Sequence, residues 1–270
     1  MQRNKKEYIM DDNIGKDILA YLLRHVVTYT ITYRVNDPDL ISDKDKEDVA
    51  TCRIGTDGDE FASNFTGFIV SYNDHWLWLT AGHVIESINI LLNDSWASLT
   101  GASMCDFFGK DAKYKDRPIP FRHDEYSDST TTRSELHKGI DYGFIELPNN
   151  IIDLMKANGV LDFDLSAPSQ RPWKDYEKYV LVGFPAEKNY ESSIPSLSEF
   201  NAQIMTQPFG LPIERCSPPE SLNINEPTIK NSFIGQFIDT ENMPTVPGMS
   251  GGPILGFNEN GDRSNYWPVA

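Results

Sequence analysis

The sequence lacks paired cysteines, a long hydrophobic run and an excess of positive charge. Its three cysteines, Cys52, Cys105 and Cys216, stand far apart and are odd in number, so they form neither a C-x-x-C pair nor a disulfide framework. No apolar run approaches the roughly 18 residues that span a bilayer. Aspartates, rather than the apolar core of a signal peptide, follow the basic start of the chain. We therefore expect a cytoplasmic protein whose thiols stay reduced.

Acidic residues outnumber basic ones, 40 to 24, and give the chain a formal net charge of −16. Such a surface repels phosphate backbones and anionic lipid headgroups, so neither nucleic-acid nor membrane partners are expected. The histidines show no metal-ligand spacing, and the run His123-Asp124-Glu125 is typical of a solvated loop. We expect neither a bound metal nor a cofactor.

Most of the chain has the pattern of short β-strands divided by turn residues. The predicted strands are Val26–Tyr33, Phe65–Tyr72, Trp76–Thr80, Tyr142–Leu147, Tyr179–Val182, Asn201–Thr206, Ser232–Asp239 and Pro253–Phe257. Two segments have a helical pattern instead, Asp12–Arg24 and Asn150–Ala157. Many short strands with glycine and proline turns favour an all-β sandwich or barrels over an alternating α/β sheet.

The pattern divides the chain into three segments. Residues 1–48 form an N-terminal helix, a strand and a charged linker that either brace the β-structure or dock onto another domain or subunit. Residues 49–148 form a first β-domain, and residues 149–270 form a linker helix and a second β-domain. A long polar insertion lies between Ser103 and His137. Within it Ser127–Thr132 is predicted to be a mobile loop, either passive or in contact with a substrate or partner.

Three segments carry the residue types that acyl transfer needs. His83 follows Thr80-Ala81-Gly82 at the end of a predicted strand, and histidine is a general base near neutral pH. Asp141 opens an apolar strand, where its carboxylate can accept the Nδ1–H of the histidine. Ser250 stands in a glycine-rich turn, and its hydroxyl becomes a nucleophile once a base takes the proton. The backbone N–H groups of Gly248 and Ser250 are candidates for an oxyanion hole.

In this combination the sequence resembles the chymotrypsin-like (trypsin-like) serine peptidases. Thr80-Ala81-Gly82-His83 matches the family's T-A-x-H, and Gly248-Met249-Ser250-Gly251-Gly252-Pro253 matches its G-x-S-G-G-P. Asp141-Tyr142-Gly143-Phe144 matches the acid that opens an apolar strand, and the order His, Asp, Ser is the family's. The resemblance spans about residues 49–270. It implies an all-β fold of two perpendicular six-stranded β-barrels, with the site in the cleft between them.

The same resemblance implies a function. It makes His83, Asp141 and Ser250 the catalytic residues of a serine endopeptidase, which hydrolyses a polypeptide substrate through an acyl-enzyme intermediate. Val84 stands where secreted members have a cysteine, so the sequence is nearest the disulfide-free bacterial branch. Met249 stands where zymogen-activated members have an aspartate, so no N-terminal cleavage is expected.

The expected substrate contacts lie on both sides of the serine. The pocket floor is expected near Pro244 and Thr245, where no aspartate stands, which favours an apolar or small side chain at the cleaved bond. Tyr266 and Trp267 are expected to begin the family's substrate-binding strand. Beyond them the chain continues only to Ala270, without the family's closing strand and helix.

An open edge on the second barrel is therefore expected, and it leaves strand N–H and C=O groups to be paired by something else. A missing C-terminal segment or an activating or regulatory protein would complete it. The alternative function is a catalytically silent or partner-gated module that keeps a peptidase fold for protein binding or regulation.

Overall fold

The computed structural model describes residues 20–37, 39, 60–93, 96–105, 119–135, 140–166, 176–184, 209–217, 233–238, 249–258 and 266–268. Most of the predicted N-terminal helix, most of the charged linker and the predicted strand Asn201–Thr206 lie outside these residues. The described end of the first helix covers residues 20–22 and passes into a 3-10 turn, Leu23–His25. Within the described ranges, no helix has the length and apolar character needed to cross a membrane.

Among the described residues, the first sheet has eight strands. They are β1 (Val26–Val35), β2 (Glu60–Tyr72), β3 (His75–Thr80), β4 (Ala97–Cys105), β5 (Ile119–Pro120), β6 (Thr130–Glu135), β7 (Ile140–Glu146) and β8 (Phe163–Asp164). The strand order is β5-β4-β1-β2-β3-β7-β6, and β8 pairs in parallel with β2 off this path. The predicted turn Asn73-Asp74 joins β2 to β3, with φ of 49° and 69°, as a tight hairpin turn with two left-handed residues requires.

The second sheet has five strands within the ranges given above. They are β9 (Lys178–Gly183), β10 (Phe209–Arg215), β11 (Gly235–Phe237), β12 (Ile254–Phe257) and β13 (Tyr266–Pro268), in the order β11-β10-β9-β12-β13. All their pairings are antiparallel. Besides the helical residues 20–22, the described part of the chain has two α-helices, α1 (Gly82–Asn93) and α2 (Asn149–Ala157). The helix α2 agrees with the predicted Asn150–Ala157 and ends at Asn158-Gly159, where Gly159 has φ of +82°.

The central strands bury both faces, because side chains alternate along a strand. One face packs against the helices in a cluster that includes Tyr29, Ile31 and Trp78 from the sheet, Ile85 and Ile88 from α1, and Ile151 and Met155 from α2. The opposite face packs against the second sheet in a cluster formed by Leu22, Leu23, Val26, Phe68, Val70, Phe163, Val182, Phe184 and Leu255. Each such fully buried apolar side chain contributes about 1.5–3 kcal/mol of transfer free energy. The second cluster therefore holds the two sheets together.

The molecule is mostly antiparallel β-structure with few helices, in agreement with the all-β class. Neither sheet closes on itself within the described residues, so the two perpendicular barrels are not confirmed. The strand β1 lies between β2 and β4 in the first sheet and is part of it. The boundaries at residues 48 and 148 stay a prediction.

The polar insertion differs from the expectation of a mobile loop. Within Ser127–Thr132, the first residues belong to a 3-10 helix, His123–Ser129, and the threonines begin β6. The strand β6 pairs along its length with β7, from Thr130 opposite Ile145 to Glu135 opposite Ile140. The polar composition gave the wrong prediction because β6 is the last strand on its side of the sheet, where Thr131, Thr132 and Arg133 are exposed. Threonine is also a strand former.

Candidate active site

The end of β3 places His83. Thr80, the last residue of β3, is buried, and its hydroxyl donates a hydrogen bond to the carbonyl of Thr66 on β2 at 2.7 Å. The chain then leaves the sheet through Ala81 and begins α1 at Gly82, so that His83 is the second residue of a helix and not the end of a strand. Its ring therefore projects from the first turn of α1, beside the neighbouring strand β7.

Asp141, near the start of β7, holds His83 at two points. One carboxylate oxygen, Oδ1, accepts the backbone N–H of His83 at 2.9 Å. The other, Oδ2, lies 2.5 Å from Nδ1 of the imidazole. A carboxylate oxygen only accepts, so the ring is oriented with its proton on Nδ1 when neutral, and Nε2 is the basic nitrogen. The side chains are 43% and 20% exposed, so the pair is accessible on the imidazole side.

Glycine at two positions allows this close approach. A Cβ on Gly82 would lie 2.8 Å from Asp141 Oδ1 and 2.8 Å from the carbonyl oxygen of Arg133 on β6. A Cβ on Gly143 would lie 2.5 Å from Cγ1 of Ile85, so a larger residue there would push α1 off β7. The hydroxyl of Thr132 on β6 donates to the carbonyl of Gly82 at 3.3 Å and fixes the first turn of α1.

Ser250 lies in a tight turn that begins at Met249, which is buried. The N–H of Gly252 donates to the carbonyl of Met249 at 2.9 Å and closes the turn. Gly251, the third residue of the turn, has φ of +85°, as a type II turn requires at that position. The sequence Ser-Gly-Gly therefore folds into a turn that presents the serine as its second residue.

This turn lies between the end of β3 in the first sheet and the end of β9 in the second sheet. A Cβ on Gly251 would collide with Oγ1 of Thr80 and with the carbonyl oxygen of Thr66, so the turn lies directly on the end of β3. On the other side, the N–H of Val182 at the end of β9 donates to the carbonyl of Pro253 at 3.1 Å. The turn of Ser250 and the first turn of α1 with His83 therefore both adjoin Thr80.

The structure describes some of the predicted site residues and not others. The structure joins His83 to Asp141 by hydrogen bonds and brings the turn of Ser250 to the same end of β3. Gly248, Pro244 and Thr245 lie outside the described residues. Tyr266 and Trp267 belong to β13, opposite Phe257 and Gly256 of β12. The roles of all these residues stay predictions.

Sequence reasoning missed three residues that build the site. Thr80 and Gly82 belong to the motif before the histidine, but the sequence alone does not show the hydrogen bond of Thr80 or the close approach that Gly82 allows. Thr132 was assigned to a loop, although it contacts the first turn of α1. The helical spacing of Val84, Ile85, Ile88 and Leu91 was the signal that His83 lies in the first turn of a helix.

No group of three or more histidine, cysteine, aspartate or glutamate residues that could hold a metal ion occurs in the described part of the chain. A second histidine–carboxylate pair lies at the other end of β3. Nδ1 of His75 is 2.6 Å from Oε1 of Glu146, with both side chains well exposed. The two pairs differ in their surroundings, which makes His75 a useful control for His83.

Comparisons with known proteins do not assign the chain to a family. No model of a protein family matches the chain, and no curated protein does either. Among solved structures, a crystal structure of Rv3671c from M. tuberculosis H37Rv, a Ser-to-Ala mutant in an inactive form, has 15% sequence identity and a TM-score of 0.33. The match covers 90% of this chain and 77% of that chain. A TM-score this low does not establish a shared fold, so this likeness carries no argument about function.

Proposed function

We propose that this protein is a serine endopeptidase that hydrolyses peptide bonds through a Ser250–His83–Asp141 triad. The observation that carries the proposal is the pair of hydrogen bonds that Asp141 accepts from the backbone and the ring of His83. This pair lies at the end of β3 that the turn of Ser250 also adjoins. A carboxylate that fixes the imidazole by Nδ1 and by the backbone leaves Nε2 available to take a proton from a hydroxyl. The order of the three residues in the chain supports the same assignment.

In this mechanism, His83 Nε2 takes the proton of Ser250 as Oγ attacks the carbonyl carbon of the scissile bond. The Asp141 carboxylate stabilises the imidazolium that forms. The backbone N–H groups of Gly248 and Ser250 hold the tetrahedral oxyanion. His83 then gives its proton to the leaving amine, and water, activated by the same base, hydrolyses the acyl-enzyme. No metal or cofactor takes part.

The substrate is an extended polypeptide segment. Tyr266 and Trp267 on β13 are proposed to contact its backbone, and Pro244 and Thr245 are proposed to line the pocket for an apolar or small side chain. A further protein segment or partner at the edge of the second sheet would gate the site. If the triad is silent, the same fold serves as a binding or regulatory module, and the assay below separates the two functions.

The test is hydrolysis of a peptide library, with products identified by mass spectrometry. The wild-type protein is expected to cleave, and Ser250→Ala and His83→Ala are expected to abolish turnover while retaining the fold. His75→Ala is the matched control, because it removes the same side chain from a pair at the opposite end of β3. Turnover that survives in Ser250→Ala would contradict the proposal, and a folded wild-type protein without turnover would favour the silent or gated module.

A further inference from the structure

His123 is buried beneath α1, although its sequence neighbours are typical of a solvated loop. Only 2% of the residue is exposed, whereas the adjacent Arg122, Asp124 and Glu125 remain at the surface. Arg122 and Asp124 form an ion pair with each other there. Burial of a polar ring costs free energy unless its nitrogens are hydrogen-bonded, and both nitrogens of His123 have partners.

The partners of His123 lie on two elements of the candidate active site. Its Nε2 is 3.0 Å from Oδ1 of Asn89 on α1, and its Nδ1 is 3.3 Å from the hydroxyl of Thr130 on β6. The amide oxygen of Asn89 only accepts, so Nε2 carries the proton and Nδ1 accepts from the hydroxyl of Thr130. The ring is therefore a neutral bridge between α1 and β6. Burial also lowers the pKa of His123, against the opposing charge of Asp124, which keeps the ring neutral.

The bridge is itself anchored in the first sheet. The backbone N–H of His123 donates to the hydroxyl of Tyr29 on β1 at 3.1 Å. That hydroxyl donates in turn to the carbonyl of Phe121 at 3.2 Å, and Tyr29 is fully buried. His123 therefore has little freedom to follow a movement of α1, and the helix is fixed relative to the sheet.

Hydrogen bonds connect α1 to β6 at two places. Thr132 bonds the carbonyl of Gly82 at the first turn, and Thr130 reaches Asn89 through His123 farther along. Asn89 lies six residues after His83, which is about 9 Å along the helix axis. These two contacts lie off the helix axis and resist rotation of α1, which would carry the His83 ring away from Asp141. The strand β6 also pairs with β7 next to Asp141, with Ser134 opposite it.

We propose that His123 is a positioning residue that fixes the rotation of α1 and thereby holds the His83 imidazole against Asp141. This inference rests on the proposed function, because it assigns His123 a role in aligning the base of the triad. His123 does not touch the substrate or the reacting atoms. Its contribution is transmitted through Asn89 and the helix.

The test compares His123→Gln with His123→Asn. The amide nitrogen of glutamine reaches the place of Nε2 and can still donate to Asn89, whereas that of asparagine reaches only the place of Nδ1. Asn89→Ala removes the same contact from the helix side, and His75→Asn is the exposed control. Two quantities are measured: the downfield proton resonance of His83 Nδ1, assigned by its loss in His83→Gln, and the rate at which a fluorophosphonate modifies Ser250.

We expect the His75 control to behave like the wild-type protein. The glutamine variant should stay much closer to it than His123→Asn does, because glutamine keeps the contact with Asn89 and the backbone anchor on Tyr29 and loses only the acceptor that faces Thr130. His123→Asn and Asn89→Ala are expected to weaken the resonance and to slow modification by roughly 10- to 100-fold, as a misplacement of up to about 1 Å does. Equal losses in the glutamine and asparagine variants, or no loss in either, would overturn the inference; if His123→Asn does not fold, Asn89→Ala decides.

The resonance also separates this inference from the proposed function. If Ser250 is not modified in the wild-type protein, but the His83 resonance still depends on the contact between His123 and Asn89, the positioning role stands and the peptidase proposal fails. If Ser250 is modified equally in the wild type, His123→Asn and Asn89→Ala, the peptidase proposal stands and the positioning role fails.

Discussion

His83 and His75 lie at opposite ends of β3, and the ring of each faces a carboxylate. Only the carboxylate that faces His83 also accepts a hydrogen bond from the backbone of the histidine. Asp141 accepts both the ring and the backbone N–H of His83, and its own side chain is 20% exposed. Glu146 meets only the ring of His75 and is 45% exposed. A surface pair of this second kind contributes little, about 0–1 kcal/mol. Motifs at the predicted strand boundaries make His83, Asp141 and Ser250 candidates, but they do not predict this difference in surroundings.

The first prediction concerns Asp141→Asn. Asparagine has one acceptor oxygen, so it can accept only one of the two hydrogen bonds that Asp141 accepts from the backbone and the ring of His83. If the oxygen stays on the backbone N–H, the amide nitrogen faces Nδ1 and the ring turns or changes its tautomer, and in either case the imidazolium loses its counter-charge. We expect catalysis to fall by about four orders of magnitude while the fold is kept. The measurement is kcat/KM on the best peptide from the library, with Glu146→Gln as the matched control. A loss of less than about tenfold would show that Asp141 does not act as the third member of a triad.

At the scale of elements, the sequence pattern predicts several strands of the first sheet but not the strand β4 or the helix α1. Alternating β-branched and aromatic residues predicted β1, β2 and β3, with bounds that differ from the observed ones by a few residues at most ends. The strand β4 was missed because its sequence, Ala97–Cys105, consists mainly of small and polar residues that are weak strand formers. The helix α1 was missed because His83 follows the strand pattern of β3 so closely that it is interpreted as the end of that strand.

The second prediction concerns the turn of Ser250. Gly251 and Gly159 both have positive φ, so an alanine at either position costs about 1–2 kcal/mol of backbone strain. At Gly159 the added Cβ would lie 3.1 Å from Nη2 of Arg24, a flexible side chain, whereas at Gly251 it meets the backbone of Thr66 and the hydroxyl of Thr80. We therefore expect Gly251→Ala to be the more destabilising by a further 1–3 kcal/mol or so.

Urea unfolding of the two alanine variants measures this difference, and the peptide assay measures its consequence for Ser250. Gly159→Ala is expected to keep the activity of the wild-type protein, and Gly251→Ala to lose most of it. Equal free energies of unfolding for the two variants would mean that the turn does not rest on the end of β3 as the structure has it.

At the scale of the whole molecule, the arrangement depends on contacts between residues distant in the chain. The segment that precedes β1 enters the cluster between the two sheets through Leu22, Leu23 and Val26. Arg24 donates to the carbonyl of Gly159 at 2.8 Å, and the ring of His25 stacks on Phe163 at 3.9 Å between centroids. Local pattern predicted the strand that follows, but a sequence without aligned relatives carries no signal for such long-range pairing. For the same reason the number and closure of the sheets were not predictable.

The third prediction uses His25, which is buried beside this cluster. Burial, reinforced by the charge of Arg24 and opposed by a backbone hydrogen bond with Leu161, lowers the pKa of His25 to about 3. The unfolded chain titrates near 6.5, so between pH 6.5 and 3 the unfolded state binds the extra proton. The stability contributed by the neutral ring is therefore complete above the unfolded pKa and is lost as the pH falls below it.

Between pH 7 and pH 4.5 this group alone should cost on the order of 2–3 kcal/mol. His25→Phe keeps a ring against Phe163 and removes the titration, so its free energy of unfolding should fall less over the same interval. Urea unfolding at the two pH values checks this. Parallel losses in the wild-type protein and the variant would show that His25 is not held neutral in the folded state.

The most direct measurement is the site of covalent modification by a fluorophosphonate, mapped by mass spectrometry on the folded protein. A single adduct on Ser250, lost in His83→Ala and kept in His75→Ala, is the predicted result, because only an assembled base makes one serine nucleophilic. No adduct on Ser250, or an adduct that persists without His83, would contradict the triad.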